Sequence, residues 1–173
     1  MRFKDIPQIE HANYSVNIPV SHLLTSLESY RKDYGLDMDP DFQRMHVWTE
    51  SQQIRYVEWI FKGGRSGREI LWNSPGWMNS FKPAILTLVD GKQRLEALRR
   101  FLQNEIPIFN TLYRNFKDRI AFYPDVVFYI NNLTKRVDVL KWYRDFNAGG
   151  TIHTEDEIRK VDELIKQEIK KRK

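Results

Sequence analysis

Ala84-Ile85-Leu86-Thr87-Leu88-Val89 runs directly into Asp90-Gly91-Lys92-Gln93-Arg94-Leu95, and this junction decides the fold. The first six residues are a nearly continuous β-branched and apolar run, the pattern of a strand buried on both faces. From Gln93 to Gln103 the period changes, and Leu95, Leu98, Phe101 and Leu102 recur at helical spacing. Only a tight turn at Asp90-Gly91 separates the two. Strand, turn and helix in immediate succession are the building unit of an α/β domain.

Outward from the junction, the other elements follow the same logic. A second strand is expected at residues 126–130, and a short one at Glu69-Ile70-Leu71-Trp72 between Gly- and Pro-containing loops. Residues 21–34 carry Leu23, Leu24, Leu27 and Tyr30 at helical spacing, open with a capping-type Ser21 and stop at Gly35. Residues 36–47 contain Pro40 and read as an extended approach to a better-marked helix. There Thr49 and Gln52 form a capping-box pattern, and Ile54, Val57, Ile60 and Phe61 line one face until Gly63-Gly64. A helix from about Lys135 to Phe146, a break at Gly149-Gly150 and a last helix capped by Thr154 and Glu157 complete the chain. The expected architecture is one α/β (α+β) domain over residues 18–165, a small mixed sheet covered by helices. Residues 1–17 read as an N-terminal extension and residues 166–173 as a basic tail.

Composition limits the chemistry. With 173 residues, 41% of them hydrophobic, there is material for one core and too little for two full domains. The chain has no cysteine, which excludes disulfides, cysteine-ligated zinc and a thiol nucleophile, and which suits a reducing cytoplasm. No stretch approaches the roughly 20 apolar residues that span a bilayer, so a cytoplasmic protein without a membrane partner is expected. The formal charge of +5 suits a polyanionic partner, although part of it lies in the run from Lys166 to Lys173, which reads equally well as a solvated helix end. No Walker-type glycine loop is present. The histidines, at 11, 22, 46 and 153, show no nuclease-like pairing, so no metal site and no autonomous metal-assisted cleavage are expected.

Three segments carry chemistry. At Asp90-Gly91-Lys92-Gln93-Arg94, a helix that opens at the end of a strand aims unpaired backbone N–H groups and the positive end of its dipole at one spot, which binds anions. Lys92 and Arg94 put cations in a first turn where they are a local misfit, and a bound phosphate would relieve it. A plain strand-turn-helix junction with solvated cations is the competing reading. Asp90 is expected to cap the helix, with water-mediated Mg²⁺ binding as its alternative. At Phe42-Gln43-Arg44-x-x-Val47-Trp48, the donors of Gln43 and Arg44 sit between apolar anchors, though Arg44 reads equally well as the partner of a local carboxylate. At Phe146-Asn147-x-Gly149-Gly150, small residues end a helix where backbone could approach a ligand, or simply stop it.

Taken together and in this order, the segments resemble the N-terminal domain of GmrSD-type modification-dependent restriction proteins, a family marked by a DGQQR motif. The first Gln of that motif is Lys92 here, which keeps a polar donor and adds a charge. The resemblance runs from about Ile18 to about Leu164. It implies a ParB/sulfiredoxin-like fold and a nucleotide site with Mg²⁺, made of Gln43, Arg44, Asp90, Gly91, Lys92, Gln93, Arg94, Asn147 and Gly149, in which Arg94, Asp90 and Arg44 would act catalytically. It further implies nucleoside triphosphate hydrolysis coupled, in full-length members, to DNA cleavage by a separate His-containing nuclease domain. For this chain, that domain would be a separately encoded partner, and a homodimer is open. A DNA-binding module that has lost the nucleotide, and a nucleotide-dependent phosphotransferase, stay open as alternatives.

Overall fold

The computed structural model describes residues 2, 5–6, 11–43, 47–78, 84–120, 124–148 and 155–171. Arg44, Gly149 and Thr154 lie outside them.

Five strands form one mixed sheet: β1 (Tyr14–Pro19), β2 (Leu36–Asp37), β3 (Glu69–Asn73), β4 (Leu86–Asp90) and β5 (Asp125–Asn131), in the order β1-β5-β3-β4-β2. β5 pairs antiparallel with β1 and parallel with β3, while β4 pairs antiparallel with β3 and parallel with β2. Helices α1 (Leu23–Tyr34), α2 (Glu50–Phe61), α3 (Lys92–Leu102), α4 (Arg136–Ala148) and α5 (Glu155–Lys170) complete the described elements. The chain is thus a mixed α/β domain, as its sequence indicates.

Side-chain alternation along the central strands sorts the core into two layers. Ile70 and Trp72 of β3, Leu86 and Leu88 of β4, and Val126, Phe128 and Ile130 of β5 join one buried cluster with residues of α1, α2 and α3. Leu71 and Val89 point the other way, into a smaller cluster made by α4, α5 and Phe42. Both faces of β3 and β4 are therefore covered, which is why their sequences read as continuous apolar runs. Beyond them, the second face of the sheet turns polar: Tyr129 is 36% exposed and stands opposite Ser15.

Several boundaries differ from expectation. The strand after residue 83 begins at Leu86, and Ile85, just before it, is 56% exposed. Ser21 caps nothing; residues 20–22 form a 3-10 turn, and α1 starts at Leu23 behind His22, which makes no side-chain cap bond. Strand β1 begins inside the stretch read as an N-terminal extension. Its alternating Tyr14, Val16 and Ile18 were a legible strand signal, and Val16 and Ile18 pack on the larger core. The capping box of α2 is formed in full, with Gln52 N–H on Thr49 Oγ1 and Thr49 N–H on Gln52 Oε1.

Candidate functional site

Strand β4 hands over to α3 through Gly91, the N-cap, at a φ of 103°. A side chain there would be strained twice. The left-handed backbone disfavours a Cβ, and a Cβ would stand 2.6 Å from Ile70 Cδ1 and 3.3 Å from Ile70 Cα. Glycine lets β3 and the start of α3 approach this closely. Among the described residues no side chain caps α3, so its first-turn amides are not closed off by the N-cap residue.

The expectation that Asp90 caps the helix is overturned. Asp90 is the last residue of β4, one position too early, and its carboxylate instead accepts from Arg94 Nη2 in an i, i+4 pair. Arg94 also donates from Nη1 to Glu69 O at 2.7 Å, with Glu69 Oε2 at 3.9 Å. One guanidinium thus pins the first turn of α3 to the ends of β3 and β4. Lys92, by contrast, pairs with Asp39 on the surface.

The exposure of their partners separates the two ion pairs: Arg94 and Lys92 are 18% and 23% exposed, but Asp90 is 19% exposed and Asp39 72%. A surface ion pair is worth about 0–1 kcal/mol, while breaking a largely buried one by removing a partner costs about 3–5 kcal/mol. Lys92 can exchange its partner cheaply; Arg94 cannot.

The glutamines are struts. Gln93 is buried, and its Oε1 accepts the N–H groups of Val47 and Trp48, each at 3.0 Å, which fixes the approach to α2. Gln43 Nε2 donates to Leu88 O at 2.7 Å, holding its segment against β4. Gln53, also buried, links Trp48 O to Arg100. Asn147 turns its amide back on Tyr143 O at 2.8 Å.

These elements enclose a cleft of about 420 Å³. Its floor is Asp90, Gly91, Lys92, Gln93 and Arg94; Gln43 and Trp48 come from the approach segment, and Tyr143, Phe146 and Asn147 from the end of α4. The remaining wall is Tyr56 and Trp59 of α2 with Ser66 and Gly67. All three sequence segments therefore meet in one hollow, through Gln43, the Asp90–Arg94 junction and Asn147. Arg44 and Gly149 fall outside the described residues.

The sequence motifs contain Trp48 and Phe146 but assign no role to the aromatic walls. Trp48 and Tyr56 pack together with ring centroids 5.3 Å apart. The Tyr56 hydroxyl donates to Gly67 O at 2.8 Å, and burial raises its pKa above the ordinary tyrosine range while Arg94 pulls the other way. A neutral phenol therefore holds the loop at the cleft mouth. The available signal was Trp59, a large ring off the apolar stripe of α2, five residues before Gly64.

A mixed α/β domain thus brings an uncapped helix N-terminus, a lysine and a pinned arginine together in one aromatic cleft. Among the described residues, no group of three or more His, Cys, Asp or Glu side chains is placed to hold a metal, and no helix is long and apolar enough to cross a membrane. The family model described as GmrSD restriction endonuclease, N-terminal domain, matches residues 23–123. The chain belongs to that family, which relates it to restriction systems. The match takes in the β4–α3 junction and the walls from α2, and stops before β5 and α4. No curated protein and no solved structure matches the chain.

Proposed function

We propose that the cleft binds the phosphates of a nucleoside triphosphate and that the chain is a nucleotide-responsive domain of a restriction-related system. The observation that supports this best is the uncapped N-terminus of α3, opening into a hollow it shares with Lys92. Amides and dipole would carry the phosphate charge, and Lys92 would leave Asp39 to join them. Arg94 would contribute a fixed positive potential while keeping Asp90 in place. Gln43 and Asn147 would border the nucleotide from opposite walls, with Arg44 and Gly149 in the adjoining segments.

Asp90 is the one carboxylate among the described lining residues, and Arg94 already holds it. This suits Mg²⁺ carried in by phosphate oxygens and water, the usual arrangement for that ion, and not an all-protein cage. Asp90 and Arg94, with Arg44, are the residues to which hydrolysis would be assigned.

The test is ligand-induced stabilisation. ATP, GTP, CTP or UTP with Mg²⁺ at a hundredfold excess over Kd should stabilise the fold by about 2.7 kcal/mol, read as a rise in Tm. Lys92→Ala should weaken that response without lowering the unliganded Tm by more than about 1 kcal/mol equivalent. If all four leave Tm unchanged, while duplex DNA binds in a salt-dependent way, the DNA-binding alternative replaces this reading.

A further inference from the structure

The cleft has one aromatic ring whose setting goes beyond phosphate binding. Trp59 lies on α2 off the buried positions Val57 and Ile60, and is 49% exposed. Single exposed aromatics are ordinary on protein surfaces; this one is packed on backbone and hydrogen-bonded to it. A Cβ on Gly64 would stand 2.2 Å from Trp59 Cε2 and 2.4 Å from Cδ2 and Nε1. The pyrrole face of the indole therefore lies flat on the buried backbone of Gly64. Trp59 Nε1 donates to Ser66 O at 3.3 Å, and Gly64 N–H returns a bond to Trp59 O at 2.9 Å. With one face seated on Gly64 and the side chain lining the cleft, the opposite face is left for the cavity.

Trp48 and Tyr56, packed on each other, make a wall rather than a seat. Phe146 of α4, 38% exposed, is the other half-open ring of the lining. Resting on the nucleotide reading above, we infer that Trp59 is the platform on which the nucleobase stacks while the triphosphate reaches the start of α3. A ring already fixed by Gly64 and Ser66 loses little side-chain freedom on binding. Because its only N–H is spent on Ser66, it contributes stacking without hydrogen-bond discrimination. The Trp59 contribution therefore ranks bases by ring area alone, purines ahead of pyrimidines.

The experiment compares ATP with inorganic tripolyphosphate, both with Mg²⁺, by calorimetric titration of the full chain. Wild type should bind ATP more tightly than tripolyphosphate, and Trp59→Ala should lose about tenfold of that preference while its tripolyphosphate affinity stays the same. Trp59→Phe should keep most of the preference and reduce the ATP-dependent change in tryptophan fluorescence, leaving what Trp48 reports from the same cleft. An ATP-to-tripolyphosphate ratio unchanged in Trp59→Ala overturns the stacking assignment and leaves the phosphate site standing. If wild type binds neither compound, the nucleotide reading itself falls and takes the platform with it. Should Trp59→Ala lose tripolyphosphate too, Trp59→Phe decides: preference retained supports the platform, preference lost rejects it.

Discussion

Gly91 and Gln93 show how two residues of one motif divide the labour. Gly91 is required by its backbone, since a φ of 103° and the proximity of Ile70 exclude a side chain. Gly91→Ala should cost about 2 kcal/mol or more, seen as a lower urea midpoint with an unchanged slope. Gln93 holds two backbone N–H groups through one buried oxygen. Gln93→Leu strips both of their acceptor, and at about 1–3 kcal/mol per buried unsatisfied group should destabilise more than Lys92→Ala, its exposed-paired neighbour, by the same urea measurement. Equal losses for the two variants would show that the Gln93 bonds are replaced by water. Pattern alone makes Gly91 legible, because Asp-Gly between a strand and a helix demands a turn. It could not separate Gln93 from a ligand-facing donor, because a glutamine in a first helical turn looks the same whether it reaches inward to a neighbouring segment or outward to a phosphate.

Among the elements, α2 and α3 were the most legible, since each carries its own start signal and a stripe of period 3.6. Strand β1 carries the period-2 alternation of Tyr14, Val16 and Ile18 with polar Ser15 and Asn17 between, but it is a short edge strand that ends at Pro19, so the signal is brief. Ser21 looks like a cap for α1 but belongs to the 3-10 turn that precedes the helix. What tied the elements together was less visible. Arg94 joins α3 to β3 and β4 over separations of 25 and 4 residues, and no local pattern encodes the longer of these. Thr49→Ala removes the reciprocal cap of α2 and should cost about 1 kcal/mol. Amide exchange should place the added opening in the first turn of α2 and leave β4 protected; uniform loss of protection across the sheet would contradict a local role for the cap.

At the scale of the molecule, the cleft depends on parts that different layers contribute: its floor comes from β4 and α3, one wall from α2, the other from α4. The α4–α5 pair contacts the sheet through Leu71 and Val89 and is tied across by Arg144 to Asp162 and by Arg136 to Asp41 and Glu168. The α2 wall is fastened to the loop after it by Tyr56, and this bond gives the molecule a distinct alkaline response. Burial holds the Tyr56 phenol neutral beyond the ordinary tyrosine pKa of about 10, so its folded-state pKa is raised above the unfolded value. A raised pKa favours the protonated folded form. Its contribution is complete below about pH 10 and is lost as pH climbs through the folded value. Tyr56→Phe removes the bond to Gly67 O and should lower stability near neutrality by about 1 kcal/mol. Above about pH 10 the wild type should lose stability more steeply than the variant, because the unfolded wild type releases the Tyr56 proton there while the folded form keeps it. Paired Tm curves from about pH 7 to 11 check this, since the lysines and remaining tyrosines titrate alike in both proteins and cancel in the difference. A difference that stays flat across the range would mean that the Tyr56 hydroxyl reaches water and that the α2 wall is held by packing alone.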